Sequence, residues 1–327
     1  MLNRCHAALA AVAFAAVMAS APVSPLQAQD YPTRPVMVIV PQPPGGGTDI
    51  ITRIFADQLT KQLGQTFVVE NRAGAGTVVG SVAAAKAAPD GYTLLAGLTA
   101  NMAVNPSLFE NLAYDPIRDF TAVGMMAEFP FVIVVSKDFP AHSVKELIAL
   151  AKAKPGEINF ASAGNGSGQH LSAELFKLMT GTNMTHVPYR GAAPAYTDVI
   201  SGRTPVFFDN LSSALGQIKG GSVRALAVTG TERSPLLPDV PTVGDTVPGY
   251  QNYVWFGLWA PKQTPPAIIA KLHAAMEKSV ADPTVQDRIK KDAGVPMTTP
   301  LADIEPMVKA DIAKWADVVK RANISVK

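Results

Sequence analysis

Short apolar runs alternate with amphipathic segments along most of the chain. Residues 36–40 (Val-Met-Val-Ile-Val) are an unbroken apolar run, which is typical of a strand buried on both faces. The apolar residues between Ile50 and Leu63 then share one helical face, and Gly64 follows as a helix terminator. The pattern predicts a second strand at residues 66–70, a second helix at residues 78–88 and a third strand at residues 92–96. This order with short loops predicts a parallel sheet with crossover helices.

The same alternation restarts at residue 131. Predicted strands lie at residues 131–136, 158–161, 184–187, 206–208 and 225–228. Predicted helices lie at residues 144–154, 170–179, 194–200 and 212–218. Ser143 and Glu146 have the spacing of a capping box at the start of the first of these helices. The pattern therefore predicts a second α/β unit of roughly 100–120 residues, an ordinary domain size.

The C-terminal part has a different pattern. A predicted strand at 253–260 is followed only by helical patterns, at residues 266–280, 284–292 and 302–321. Helices without strands form no sheet of their own, so we expect them to pack on the first unit. We therefore predict a signal segment at residues 1–28. The first lobe is predicted to comprise residues 29–128 plus 253–327, and the second lobe residues 129–252. Two chain crossings between two lobes imply a central cleft with a hinge. Trp315 lies on the apolar face of the last helix, and we expect a core residue there rather than a ligand platform.

Composition and charge narrow the possible functions. The chain has 327 residues, of which 48% are hydrophobic and 17% charged. A chain this long and apolar buries a sizeable core, which excludes intrinsic disorder. Its net charge is +2 and it contains no basic block, which argues against a nucleic-acid partner.

The N-terminus has the features of a secretory signal peptide. Arg4 precedes an apolar run at residues 7–19, and Ala28 supplies a small residue at the expected cleavage site. The run is shorter than the ~20 residues that a spanning helix needs. We therefore predict an exported protein without membrane insertion after cleavage. Cys5 is the single cysteine, so the chain can form neither an intrachain disulfide nor a zinc cluster.

Two glycine-rich loops are the strongest functional signal. The first, residues 43–49, joins the first predicted strand to its helix, and the second, residues 162–170, has the equivalent position in the second unit. Glycines permit turns that direct successive amides into one concavity, and the helix N-terminus behind adds positive potential. The alternative is that the glycines only form turns. Because such loops meet ligands at the carboxyl ends of strands, the pair favours anion binding.

The loop sequences also indicate which anion. Neither loop has the Walker pattern, and Gly74-Ala75-Gly76-Thr77-Val78-Val79-Gly80 has the wrong spacing for a dinucleotide fingerprint. Neither loop carries Lys or Arg. A singly charged carboxylate fits neutral donors better than a polyphosphate does.

Catalytic interpretations have weaker support. The segment around Ser167 lacks the Gly-x-Ser-x-Gly pattern, and the histidines show no metal-ligand spacing. His170 is either a structural histidine or a general base at the second loop. Asp209 either accepts an amine of the ligand or caps the following helix. The rival function is therefore an exported hydrolase or isomerase that uses His170 or Asp209.

Several motifs together resemble the Bug family, the periplasmic receptors of tripartite tricarboxylate transporters. The matching segments lie at residues 31–36, 40–49, 69–76, 88–95, 187–191, 207–211, 224–229 and 237–242, in order along almost the whole mature chain. The resemblance implies a type II periplasmic-binding-protein fold, α/β, in which two lobes close on a ligand. It also implies a small carboxylate ligand, a periplasmic location, and a membrane permease or a sensor kinase as partner.

In this family the two loops hold a ligand carboxylate, with ordered water assisting. Carried over by position, they are residues 45–49 and 162–167. The residue pair Gln42-Pro43 departs from the aromatic or small residue that the family usually has between its two prolines, and we expect an altered pocket wall. The Asp-Asn pair within residues 207–211 recurs across the family, which favours a structural role for Asp209 over a role in ligand selection.

We predict no catalytic residue, metal site or cofactor. The candidate ligand-binding residues are Pro44, Gly45, Gly46, Gly47, Thr48, Asp49, Ser162, Gly164, Asn165, Gly166, Ser167, His170, Tyr189 and Asp209.

Overall fold

A computed structural model describes residues 31–325. The predicted signal peptide lies outside the described residues. The strands are β1 Val36–Val40, β2 Phe67–Asn71, β3 Thr93–Leu98, β4 Phe120–Ser136, β5 Asn159–Ser162, β6 Thr185–Pro188, β7 Val206–Asn210, β8 Val223–Val228, β9 Tyr253–Pro261 and β10 Val295–Pro296. The helices are α1 Gly47–Leu63, α2 Val78–Ala85, α3 Asn105–Leu108, α4 Val144–Ala153, α5 Gly168–Thr180, α6 Ala192–Ile200, α7 Leu211–Lys219, α8 Pro266–Ala281, α9 Pro283–Lys291 and α10 Leu301–Arg321. The predicted α/β class is confirmed.

The first set of strands forms a mixed sheet in the order β2-β1-β3-β9-β4. Strand β1 is parallel to both β2 and β3, whereas β9 runs antiparallel to β3 and β4. Helix α1 buries Phe55 and Leu59 beside β1, which explains the continuous apolar run of that strand. Because α1 starts directly after β1, the first glycine-rich loop lies at the carboxyl end of a central strand.

The second set of strands is built on the same long strand β4. From Phe131 onward β4 pairs antiparallel with β7 and β8, and β5 runs parallel to β7 and β6. Helix α5 follows β5, so the second glycine-rich loop also lies at the carboxyl end of a strand.

Strands β4 and β9 run side by side and connect the two sets of strands. Phe129 of β4 pairs with Val254 of β9 at the transition. Thr229 fixes this junction, because the Phe131 amide donates to its Oγ1 at 2.7 Å and that hydroxyl donates to the Asn252 carbonyl at 2.6 Å. The cleft therefore opens over a hydrogen-bonded, two-stranded connection.

Most predicted elements are present with ends shifted by a few residues, but three were missed. The missed parts are the first half of β4, which begins at Phe120 rather than at residue 131, the helical segment at residues 100–108 (a π-helical turn followed by α3), and the two-residue strand β10. The predicted capping box is half formed. Ser143 accepts the Glu146 amide, but the Glu146 carboxylate accepts the His142 amide instead of that of Ser143.

The C-terminal helices contact elements of the first set of strands, and the last of them also contacts the second set. Helix α8 packs against β4 and α1, whereas α10 packs against α3, the neighbouring π-helical turn and β4. Helix α10 additionally contacts α5, which follows a strand of the second set. Within residues 31–325, no helix is long and apolar enough to cross a membrane.

Candidate functional site

Two adjoining cavities follow the cleft between the two sets of strands. The outer cavity has a volume of about 500 Å³ and the inner one about 280 Å³. Both are lined by Gln42, Leu98, Asn210 and Val254. Because these four residues come from both sets of strands and from a connecting strand, the cavities form one continuous cleft.

The first loop presents the start of α1 to the outer cavity. Gly47 and Thr48 line that cavity, and no side chain caps the helix at Gly46. The first amides of an α-helix have no partner inside the helix, and the helix dipole adds positive potential there. An anion in the outer cavity would therefore meet uncapped backbone donors.

Asp49 holds this loop rather than facing the cavity. Its carboxylate is buried and accepts the Gly45 amide at 2.9 Å, the Asn71 amide group at 3.0 Å and the Arg53 guanidinium at 3.1 Å. The bonds from Arg53, and then those from Gly45 and Asn71, lower the pKa of Asp49 to about 2 despite its burial. The negative charge is therefore compensated within the loop.

Gln42 forms part of the cleft wall. It lines both cavities, and its Oε1 accepts the Thr48 hydroxyl at 2.5 Å. The bond joins Gln42 to the first turn of α1. An aromatic side chain at this position would form no such bond.

The second loop presents Gly166, Ser167 and Gly168 to the inner cavity. Ser167 caps α5 by accepting the His170 amide, while the Gly166 amide donates to His170 Nδ1 at 3.1 Å. Gly166 has a φ of +72°, a conformation that favours glycine. Since the Gly166 amide is already bonded, this loop offers fewer free donors than a fully open loop would.

His170 and His186 stack behind the second loop. Their ring centroids are 3.7 Å apart, and the Ser162 hydroxyl lies 2.6 Å from His186 Nε2. Burial, and then the neighbouring His170, lowers the pKa of His186 to about 4. Ser162 is wholly buried and lines neither cavity, so this serine–histidine pair supports the loop and does not face the cleft.

Asp209 and Tyr189 also bond within the protein. Asp209 is wholly buried and accepts the Tyr196 hydroxyl at 2.9 Å, the Gln169 amide group at 3.2 Å and the Ser213 hydroxyl. Burial raises its pKa above the ordinary value. The Tyr189 hydroxyl donates to Asp198 at 2.8 Å. Asp209 thus ties the starts of α5 and α7 together.

The candidate residues therefore divide into two groups. Four of them line the cleft, namely Gly47, Thr48, Gly166 and Ser167. The others line neither cavity, namely Pro44, Gly45, Gly46, Asp49, Ser162, Gly164, Asn165, His170, Tyr189 and Asp209.

Sequence reasoning missed several cleft residues. They include Gln169, Asn210, Ser212, Ser213, Asn252, Trp315 and Arg288. Asn210 directly follows a strand, which is a usable signal, and Asn252 lies in a predicted crossing. Arg288 and Trp315 come from helices far along the chain, and nothing in the sequence pattern brings them to the cleft.

Charge is sparse along this cleft. Arg288 and Asp292 are the charged residues that line the outer cavity, and uncharged residues line the inner one. Within residues 31–325, no group of three or more histidines, cysteines or acidic residues could hold a metal ion. Anion binding would thus depend on backbone amides, neutral side chains and one arginine.

The chain is similar to known receptors over most of its length. Residues 51–324 match the family model described as tripartite tricarboxylate transporter family receptor. Protein BugT of Bordetella pertussis is 38% identical over 308 residues, which cover 93% of this chain and 94% of that protein. These matches establish the family without identifying a ligand.

Solved structures of periplasmic binding proteins have the same fold. The structure of R. palustris Rpa4515 with adipate is 36% identical in sequence and superposes with a TM-score of 0.78. The match covers 91% of this chain and 100% of Rpa4515. MatC from Rhodopseudomonas palustris with bound malate is 33% identical with a TM-score of 0.74, and covers 88% of this chain and 100% of that one. The predicted periplasmic-binding-protein fold is thus confirmed.

Proposed function

The chain belongs to the tripartite tricarboxylate transporter receptor family, and we propose that it captures a small organic carboxylate in its cleft and delivers it unchanged. The receiving partner is the membrane permease of a tripartite transporter or a sensor kinase, and the place of capture is the periplasm. The uncapped N-terminus of α1, which opens onto the outer cavity at Gly47 and Thr48, carries this proposal.

The ligand carboxylate would lie between the first turn of α1 and the loop before α5. Amides at a helix N-terminus bind carboxylates without a cationic side chain. The bound acid then favours a closed arrangement over an open one, which is a population shift. A membrane partner would recognise the closed surface.

The buried contacts favour a receptor over the rival hydrolase or isomerase. A general base must reach the substrate, directly or through one water. His170 Nδ1 accepts the Gly166 amide, and the Asp209 carboxylate is buried and bonded to three side chains. Neither residue lines the cleft, so both serve the loops.

A thermal-shift panel tests the function on protein stripped of ligand by unfolding and refolding. The panel contains mono-, di- and tricarboxylates, amino acids and aromatic acids. At a hundredfold excess over the dissociation constant, a true ligand adds about 2.7 kcal/mol, which raises the melting temperature by several degrees. If no acid shifts the melting temperature, the proposed function is wrong.

The variant Gly46→Val tests whether the start of α1 binds the ligand, because it should lose the ligand-induced thermal shift. Gly46 has an ordinary φ of −78°, and a Cβ there would lie no closer than 3.6 Å to its nearest neighbour, so the variant should fold. Gly46 lines neither cavity, but it is the N-cap residue of α1, so a valine side chain there would lie next to the first free amides of the helix, and we expect it to abolish the shift. Gly216→Val, at an exposed position of α7 with open space around it, should keep the shift. Mass spectrometry of released ligand checks that the acid returns unchanged.

A further inference from the structure

A third cavity, of about 710 Å³, lies beside the strands that connect the two sets. Glu128 and Pro130 of β4 line this third cavity, whereas Phe129 between them lines the outer cavity of the cleft. Successive side chains of a strand point to opposite faces of its sheet. The outer cavity and the third cavity therefore lie on opposite faces of β4.

Helix α9 is divided between the same two cavities. Arg288 and Asp292, one helical turn apart, line the outer cavity. Asp287 and Lys291, also one turn apart, line the third cavity. Because residues four positions apart share a helix face, two different faces of α9 border the two cavities. The helix thus separates them, as β4 does.

Both sets of strands bound the third cavity. Residues 230–236, which follow β8 of the second set, form one side. Residues 293–296, which include β10, form another. Strand β10 belongs to the first set, because it pairs with the first half of β4 at Glu128. The width of the third cavity therefore depends on how the two sets are oriented relative to each other.

The two sides of this cavity meet through apolar contact. Ala293 is buried in the same hydrophobic cluster as Leu236. Within the described part of the chain, no hydrogen bond or ion pair joins residues 230–236 to residues 287–296. Apolar contacts are non-directional. The cavity can therefore change its width without breaking a directional bond between its two sides.

We propose that the third cavity sets the affinity of the cleft, because it widens as the outer cavity narrows around a ligand. The inference rests on the proposed function, in which closure accompanies binding. A rotation of the two sets about β4 that narrows the space on one face of this strand widens the space on the other. A side chain that fills the third cavity therefore opposes the open arrangement and raises the closed fraction before any ligand arrives.

Val295 is the position at which to fill the cavity. It lines the third cavity, is 47% exposed, and pairs with Glu128, so that the two side chains share a face. Val295→Trp therefore adds an indole to the cavity from the first set. Val68→Trp is the matched control, because Val68 is also 47% exposed, lies on β2 and lines none of the three cavities.

Small-angle scattering on ligand-free protein tests the inference without reference to a particular acid. We expect Val295→Trp to have a smaller radius of gyration than the wild type, and Val68→Trp to have the wild-type radius. Glu232→Trp fills the cavity from an exposed position of the second set, and replaces Val295→Trp if that variant does not fold. A folded filling variant whose radius equals or exceeds that of the wild type overturns the inference.

Calorimetry with malate, adipate and benzoate provides the second measurement. The apparent dissociation constant is the intrinsic one divided by the closed fraction of the free protein. Val295→Trp should therefore tighten binding of every acid that binds the wild type by one common factor, about fivefold or more, whereas Val68→Trp should not. A change inside the cleft would alter the ranking of the acids instead.

The outcomes separate the inference from the function on which it rests. Weaker binding by Val295→Trp, or factors that differ between acids, overturns the inference. If acids bind the wild type and reduce its radius but the filling variant changes neither quantity, the inference fails and the proposed function stands. If no acid binds the wild type, the proposed function fails, and the inference with it.

Discussion

At the scale of single residues, two buried acidic side chains near the cleft, Asp49 and Asp209, are hydrogen-bonded within the protein before any ligand arrives. Asp49 lies in the first turn of α1 and Asp209 near the end of β7, and each is buried and accepts three donors. An uncompensated carboxylate next to an anion site would repel the ligand. Because both carboxylates are bonded inside the protein, they stabilise the loops instead of repelling the ligand.

Asp49→Asn should destabilise the protein at neutral pH. The variant weakens the charge-assisted bonds to Gly45 and Arg53, and we expect the free energy of unfolding to fall by about 1–3 kcal/mol. The folded pKa of about 2 lies below the ordinary aspartate value of 3.8, so the contribution of Asp49 to stability is present above pH 3.8 and is lost as pH falls through about 2.

Urea unfolding at pH 7, 5 and 3 measures this effect. The stability difference between wild type and variant should be largest at pH 7 and narrower at pH 3. Asp57→Asn, at an exposed position of the same helix, is the control and should change little. A difference that is equal at all three pH values would contradict the assigned role of Asp49.

The sequence located these residues but not the direction of their side chains. Position after a strand and before a helix is enough to place Asp49 and Asp209 at the cleft edge. Whether a carboxylate faces the ligand or its own loop depends on donors such as Asn71 and Tyr196, which lie more than a dozen residues away in sequence. Single-sequence patterns contain no information about such pairs.

At the scale of elements, β4 dominates the architecture. Its 17 residues belong to both sheets, and it carries Glu128 just before the transition. Glu128 lines a third cavity of about 710 Å³, together with Pro130, Tyr253 and the end of α9. Burial, and then the nearby Asp311, raises the pKa of Glu128 to about 7.

Glu128→Gln should therefore change the pH dependence of stability. The folded pKa of about 7 exceeds the ordinary glutamate value of 4.5, so the folded protein binds more protons than the unfolded one between these two values, and stability falls as pH rises from 4.5 to 7. We expect the variant to melt higher than wild type at pH 8 and at nearly the same temperature at pH 4.

Differential scanning fluorimetry across pH 4–8 checks this expectation. Glu110→Gln replaces an exposed carboxylate and serves as the control. A wild-type melting temperature at pH 8 equal to or above that of Glu128→Gln would show that Glu128 carries no buried charge.

The first half of β4 shows why the sequence pattern failed there. Residues 123–127 are all buried, so no apolar–polar alternation marks the strand. Gly124 adds a residue of low strand propensity, and a register shift occurs between Ala122 and Gly124. The clear strands, such as β1, were predicted to within a residue or two because turn residues bound them.

At the scale of the whole molecule, the cleft lies between two sets of strands, and we expect these sets to move relative to each other when a ligand binds. We expect a bound carboxylate to reduce the radius of gyration, since closure around a ligand makes a two-lobed protein more compact. Small-angle scattering with and without a saturating acid measures this change, and Gly46→Val should show none. An unchanged radius for the wild type at saturation would contradict closure.

The order of strands and helices sufficed to predict two units with a cleft between them. It did not suffice to predict how the C-terminal helices contribute. Helix α10 contacts α5 as well as α3, and through Trp315 it lines the inner cavity. An amphipathic pattern shows which face of a helix is buried, but not which neighbours bury it.

The continuity of β4 also limits how such a receptor can be re-engineered. One strand contributes its first half to one sheet and its second half to the other. A cassette exchange between relatives that cuts near residue 130 would therefore break a ladder in mid-strand. Chimeras should tolerate junctions in the loops on either side of β4 far better, so that the whole strand is inherited from one parent.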